Sequence, residues 1–156
     1  MSRSENMNIT IISIGKIKEA YLKEGILEYK KRISRHCNIE VIELEDEKAP
    51  ENLSPAQEEE VKQKEGKKIL KHIKNQDGYI ISLAIQGKQY SSGEFASHIK
   101  KLSLKGKDSV IFIIGGSLGL SDEVLRLSNE QISFSKMTFP HQLMRLILLE
   151  QISRIF

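Results

Sequence analysis

The chain has 156 residues, 39% hydrophobic and 29% charged, which fits one soluble globular domain with a real core. Its 24 lysines and arginines against 21 acidic residues leave a net charge of +3, permitting an anionic partner without demanding one. No apolar run approaches the ~20 residues that span a bilayer, Met1–Asn6 is polar rather than signal-like, and the single Cys37 can form neither an internal disulfide nor a zinc site.

These features exclude a secreted miniprotein, a membrane protein and a disordered tail, and they make the cytoplasm the expected compartment, with no membrane and no metal. Charge is uneven along the chain. Residues 16–35 carry seven basic residues against three acidic ones, whereas residues 107–156 hold five of each and are strongly apolar. The first segment suits either a solvated helix face or a phosphate-facing stripe.

In chain order, Ile9–Ile14 is a β-branched run stopped by Gly15, which predicts a strand and a turn. Leu22, Ile26, Tyr29 and Ile33 recur at helical spacing, predicting an amphipathic helix over residues 18–35. Ile39–Leu44 reads as a second strand, and Glu45–Leu53, polar and containing Pro50, as a mobile loop. Ser54-Pro55-Ala56-Gln57 is a capping box with proline at the first helical position, opening a helix towards Lys74 that buries Val61, Ile69, Leu70 and Ile73.

Tyr79–Ile85 is a third strand ended by Gly87, and Ser91 with Glu94 caps a helix reaching about Leu102. Val110–Ile114 is apolar throughout, so both faces of this fourth strand are covered. A short helix with Val124, Leu125 and Leu127, a fifth strand Ile132–Ser135 and a helix from Pro140 to the end complete the chain. Strands alternating with helices, without repeat or linker, predict one α/β domain with a mostly parallel sheet.

The chemistry concentrates in the last third. Gly115-Gly116-Ser117-Leu118-Gly119 follows the fourth strand, where ligands of open α/β sheets bind, although glycines there also serve ordinary tight turns. Its spacing is neither the dinucleotide fingerprint nor a P-loop, since no Gly-Lys-Ser/Thr occurs anywhere. His36, His72 and His98 lie in charged helical surroundings that suit solvated histidines. His141 stands at the mouth of the last helix, with Arg145 one turn later. That helix is apolar nearly all round, which makes a second subunit the economical cover.

Ile113–Leu120, Ser133–Arg145 and Leu149-Glu150-Gln151 resemble the RlmH family of SPOUT-class methyltransferases. Gly15–Glu19, Asp46–Glu51, Glu65-Gly66 and Leu83–Lys88 extend the likeness over nearly the whole chain from Met7, which looks like the family's usual start and leaves Met1–Asn6 as an extension. The resemblance implies a single domain over residues 7–156, with a C-terminal trefoil knot, homodimerisation, and methyl transfer from S-adenosyl-L-methionine to N3 of a pseudouridine in 23S rRNA of assembled ribosomes. By matching motifs, Leu83, Gly115, Phe134, Ser135, Lys136, Met137, Thr138 and Phe139 form the cofactor pocket.

Loss of the N3 proton requires a general base or stabilised negative charge, and His141 and Arg145 are the candidates for those two roles. Lys16, Lys30, Lys31 and Arg32 of the basic stripe, with Arg154 on the last helix, are candidates for RNA contact. Family members usually continue into a tail ending in Pro-Tyr-His and a basic residue, and carry an aromatic where Ser153 stands. The alternative reading is therefore a ribosome-binding or assembly protein with the same fold and impaired turnover.

Overall fold

The computed structural model describes residues 7–48 and 51–156. The Met1–Asn6 extension, and Ala49 and Pro50 of the expected loop and motif, lie outside the described residues. Among the described residues five strands and five helices alternate: β1 Asn8–Ile14, α1 Ala20–Ser34, β2 Asn38–Leu44, α2 Pro55–Ile73, β3 Tyr79–Gln89, α3 Ser92–Leu104, β4 Ser109–Ile114, α4 Asp122–Leu127, β5 Glu130–Ser133 and α5 His141–Ser153. The strands form one sheet in the order β2-β1-β4-β3-β5, and every pairing is parallel.

Strand periodicity divides the core in two. Ile9 and Ile11 of β1 and Val110, Phe112 and Ile114 of β4 point to one face, where α1, α3 and α5 pack. Ile12 and Ile14, with Ile111 and Ile113, point to the other, covered by α2 and α4. The run Val110–Ile114 is buried on both sides, as its unbroken apolarity predicts.

Both expected capping boxes are present. Ser54 Oγ accepts from Gln57 N, Ser91 Oγ accepts from Glu94 N, and each partner side chain returns to its cap's backbone amide. The buried stripe of α2 differs from expectation: Glu65, Gly66, Ile69 and Ile73 are inside, while Val61 and Leu70 are only half-buried. The reason is close approach, because a Cβ on Gly66 would lie 2.4 Å from Ser121 Oγ at the start of α4.

Gly87 does not end β3. The strand continues to Gln89, and its register against β5 jumps between Leu83 and Lys88. Only a glycine passes there, since a Cβ would lie 2.7 Å from the Gln131 backbone carbon. The irregularity throws residues 84–87 out of the ladder at the carboxyl end of the sheet.

Candidate cofactor pocket and active site

A cavity of ≈840 Å3 opens at the carboxyl ends of β3, β4 and β5, the side on which open parallel sheets bind ligands. Three segments wall it: Leu83 to Gln86 after the regular part of β3, the glycine loop after β4, and residues 132–141 between β5 and α5. Gly119 N donates to Gly116 O at 3.0 Å, closing the glycine loop into a tight turn. Gly119 has φ +87°, a left-handed conformation that favours glycine. A Cβ on Gly115 would lie 2.8 Å from the Gly119 carbonyl carbon, so two glycines are needed for this one turn.

Of the residues anticipated for the cofactor, Leu83, Gly115, Phe134, Ser135, Met137, Thr138 and Phe139 line this cavity. Lys136 is exposed and does not line it. Serines shape the segment locally: Ser133 Oγ donates to Ser135 O at 2.9 Å, and Ser135 Oγ accepts from Met137 N at 2.9 Å. Phe134 is fixed edge-on against Phe95, their ring centres 5.8 Å apart, while Met137 at the rim is 73% exposed.

Lys62 from α2 and the bulged Ala84, Ile85 and Gln86 also line the cavity, and nothing in their local sequence signals it. Glu65 is a further unanticipated polar group. It is buried behind the glycine loop, accepting from Glu47 N at 3.1 Å, and Gly116 has no Cβ where Glu65 Oε1 would be only 3.0 Å away. Burial pushes its carboxyl above the usual range, with Glu47 N opposing and Asp46 adding to the shift.

His141 and Arg145 occupy different environments. His141 is half-buried at the cavity wall, and burial followed by the charge of Arg145 lowers its pKa, with Asp46 acting in the opposite sense. On balance the surroundings favour the neutral imidazole. Arg145 is 1% exposed and does not line the cavity. Its Nη2 donates to Gly15 O at 2.8 Å and its Nη1 to Glu43 Oε2. The same Glu43 oxygen accepts from Ile17 N at 3.1 Å. Burial works to raise the Glu43 pKa, but the Ile17 amide and Arg145 outweigh it and hold the carboxyl below its ordinary value.

The basic candidates form two groups. Lys16 is exposed on the β1–α1 loop, beside Glu43, whereas Lys30, Lys31 and Arg32 lie in the last turns of α1. Arg32 pairs with Glu28 at 3.1 Å and lies over the Tyr29 ring at 5.3 Å. Arg154 is occupied by Glu150 at 2.6 Å. His98 departs from its expected solvated state: its Nε2 lies 2.8 Å from Glu130 Oε1 and its ring stacks on Tyr90. Two elements far apart in sequence, α3 and β5, meet there. Among the described residues there is no cluster of three metal-ligating side chains, and no helix is long and apolar enough to cross a membrane.

A parallel sheet carrying a glycine loop and a serine-shaped segment around one cavity defines an α/β protein built to hold a small-molecule ligand at its strand ends. A family model described as "Predicted SPOUT methyltransferase" matches residues 7–156, and the chain belongs to that family. Membership carries with it the SPOUT fold and its C-terminal trefoil knot.

A Bacillus thuringiensis protein named "Ribosomal RNA large subunit methyltransferase H" is 63% identical over 150 residues, covering 96% of this chain and 94% of the relative. A relative of the same name from Bacillus anthracis has the same identity and coverage. A solved structure of a probable methyltransferase from Bordetella pertussis superposes over 99% of both chains with a TM-score of 0.55 at 6% identity, a likeness of fold.

Proposed function

We propose that this protein methylates N3 of a pseudouridine in 23S rRNA of assembled ribosomes, using S-adenosyl-L-methionine. The observation that carries this reading is the cavity at the strand ends, walled by the three segments that the family resemblance assigns to the cofactor. Near-full-length identity to proteins named as large-subunit rRNA methyltransferases supports the same substrate class.

The residues fit the group. Gly115 admits close backbone approach, Leu83, Met137 and Phe139 offer apolar walls, and the backbone of residues 134–139 can meet the polar edge of an adenine. When bound, the cofactor supplies an activated methyl on a sulfonium, so neither a metal nor a covalent enzyme intermediate is required. The protein's part is to align the methyl with the attacking nitrogen and to remove the N3 proton. His141 is the base in this reading: its surroundings favour the neutral ring, it lines the cavity, and it stands on the first turn of α5.

The rRNA meets the exposed Lys16 of the β1–α1 loop, the exposed Lys31 and Arg32 and half-buried Lys30 of α1, and the exposed Arg154. The working form is a homodimer. Its support is α5, where Ile147 is half-buried and belongs to neither core cluster of the single chain.

Transfer of labelled methyl from S-adenosyl-L-methionine to ribosomes lacking the modification tests the proposal, with the wild type and His141→Ala compared. Wild type is expected to label 23S rRNA, and the variant to lose about 100-fold or more in rate. Ribosome binding without methyl transfer would instead favour an assembly or binding protein. An undiminished rate in His141→Ala would remove the base.

A further inference from the structure

Arg145 follows His141 by one helical turn, which suggests at first sight a second group meeting the substrate. Its surroundings argue otherwise. The guanidinium is 1% exposed and does not line the cavity, and its two terminal nitrogens are spent on Gly15 O, at 2.8 Å, and on Glu43. Both acceptors lie at the far side of the sheet from β5, in the loop after β1 and on β2.

Glu43 extends the grip by accepting from Ile17 N at 3.1 Å, and Gly15 N donates to Leu44 O at 2.7 Å. The β1–α1 loop is thus held at the Gly15 carbonyl by Arg145, at the Gly15 amide by the β2 backbone, and at Ile17 by Glu43, which itself pairs with Arg145. His141 rests on that loop: Nε2 lies 3.3 Å from where a Cβ of Gly15 would be. Gly15 has φ +100°, so both its conformation and the space for the imidazole depend on its being glycine.

We propose that Arg145 is a positioning residue: by binding the Gly15 carbonyl and Glu43 from inside the protein, it seats the first turn of α5 on the β1–α1 loop and so sets the place of the His141 ring at the cavity wall. The inference deepens the proposed function, resting on His141 as the base, and it replaces the substrate-stabilising role that sequence spacing suggests for Arg145. Two charged groups bear on the imidazole from the elements around it, Arg145 on α5 and Asp46 after β2, and Glu43 pairs with the first of them. A buried cation one turn away also favours the neutral ring. Loss of Arg145 therefore has two readable consequences, displacement of the ring and a rise in its titration midpoint.

The test follows the His141 ring by NMR across pH in the wild type, Arg145→Met, Arg145→Lys and the double variant Arg145→Met/Glu43→Met, alongside methyl-transfer kinetics. The double variant removes both charges together and avoids leaving one stranded, which protects folding. Both methionine variants are expected to move the His141 midpoint upward, weaken the contact between its ring and Gly15, and lower kcat by about 100-fold, the scale of a 1 Å misplacement. Affinity for S-adenosyl-L-methionine, read by calorimetry, is expected to stay within about twofold, and lysine to recover part of the rate.

Lost kcat with unchanged His141 signals would overturn the proposal and make Arg145 a substrate-binding group. Undiminished kcat in a folded methionine variant would overturn it as well. Should His141→Ala prove active, the base reading fails separately, while the NMR shift still reports whether Arg145 sets the ring.

Discussion

At the scale of single residues, burial decides which charged groups can do chemistry. His141, Glu65 and Arg145 are all ionisable and near the cavity, yet only His141 lines it. Glu65 is a carboxylate held under a glycine loop, its folded pKa raised chiefly by loss of water. A raised carboxyl contributes stability below its unfolded value, and that contribution is lost as pH rises through the folded value. The window therefore opens at the ordinary carboxylate value of 4.5 and extends upward.

Glu65→Gln keeps an oxygen for Glu47 N without the buried charge. Its melting temperature at pH 8 is expected to equal or exceed that of the wild type by about 2–4 °C, with the advantage vanishing below pH 4.5. Thermal melts at both pH values check this. A variant several degrees less stable at pH 8 would mean that the charge itself holds the loop.

At the scale of elements, α5 links the core, the site and a candidate interface. Leu148, Leu149 and Ile152 are buried in the core, His141 reaches the cavity, and Leu146 packs onto Gly25 of α1, where a Cβ would lie 2.9 Å from its Cδ1. Ile147 contributes to none of these. If that face is the dimer seam, Ile147→Glu should convert a dimer into a species of one 17.8 kDa chain in sedimentation velocity, with helical content retained. A dimer that survives the substitution would place the seam elsewhere.

Element boundaries were legible where the sequence carries the local physics. The two capping boxes predict the starts of α2 and α3, and the apolar run Val110–Ile114 announces a strand buried on both faces. Gly87 misled because a glycine in a strand reads as a stop, whereas here it lets β3 pass the backbone of β5. His98 misled similarly, since Glu130, its partner, is 32 residues away and invisible to any local window.

At the scale of the whole molecule, charge is divided between an α1 edge rich in cations and an electrically balanced C-terminal third that builds the cavity. Lys30→Glu/Lys31→Glu should weaken ribosome binding and lower the log–log salt slope by about 1–2, since each lost phosphate contact removes roughly 0.7–0.9. Filter binding across salt concentrations measures it, and an unchanged slope would exclude this edge from the RNA interface. Affinity for S-adenosyl-L-methionine should be unaffected, because neither lysine lines the cavity.

By itself the sequence determined an α/β chain and, through its motifs, the family and the segments that wall the cavity. The α/β alternation follows from periodicity and capping, which act over a few residues, whereas the cavity segments and the family follow from the motif resemblance. Only the tertiary structure decided what the polar groups do. Arg145 and Glu43 are 102 residues apart, and Arg145 and Gly15 are 130 apart. Such pairings arise because parallel strands bring distant chain ends to one edge of the sheet, where a buried charge must find a partner to leave water.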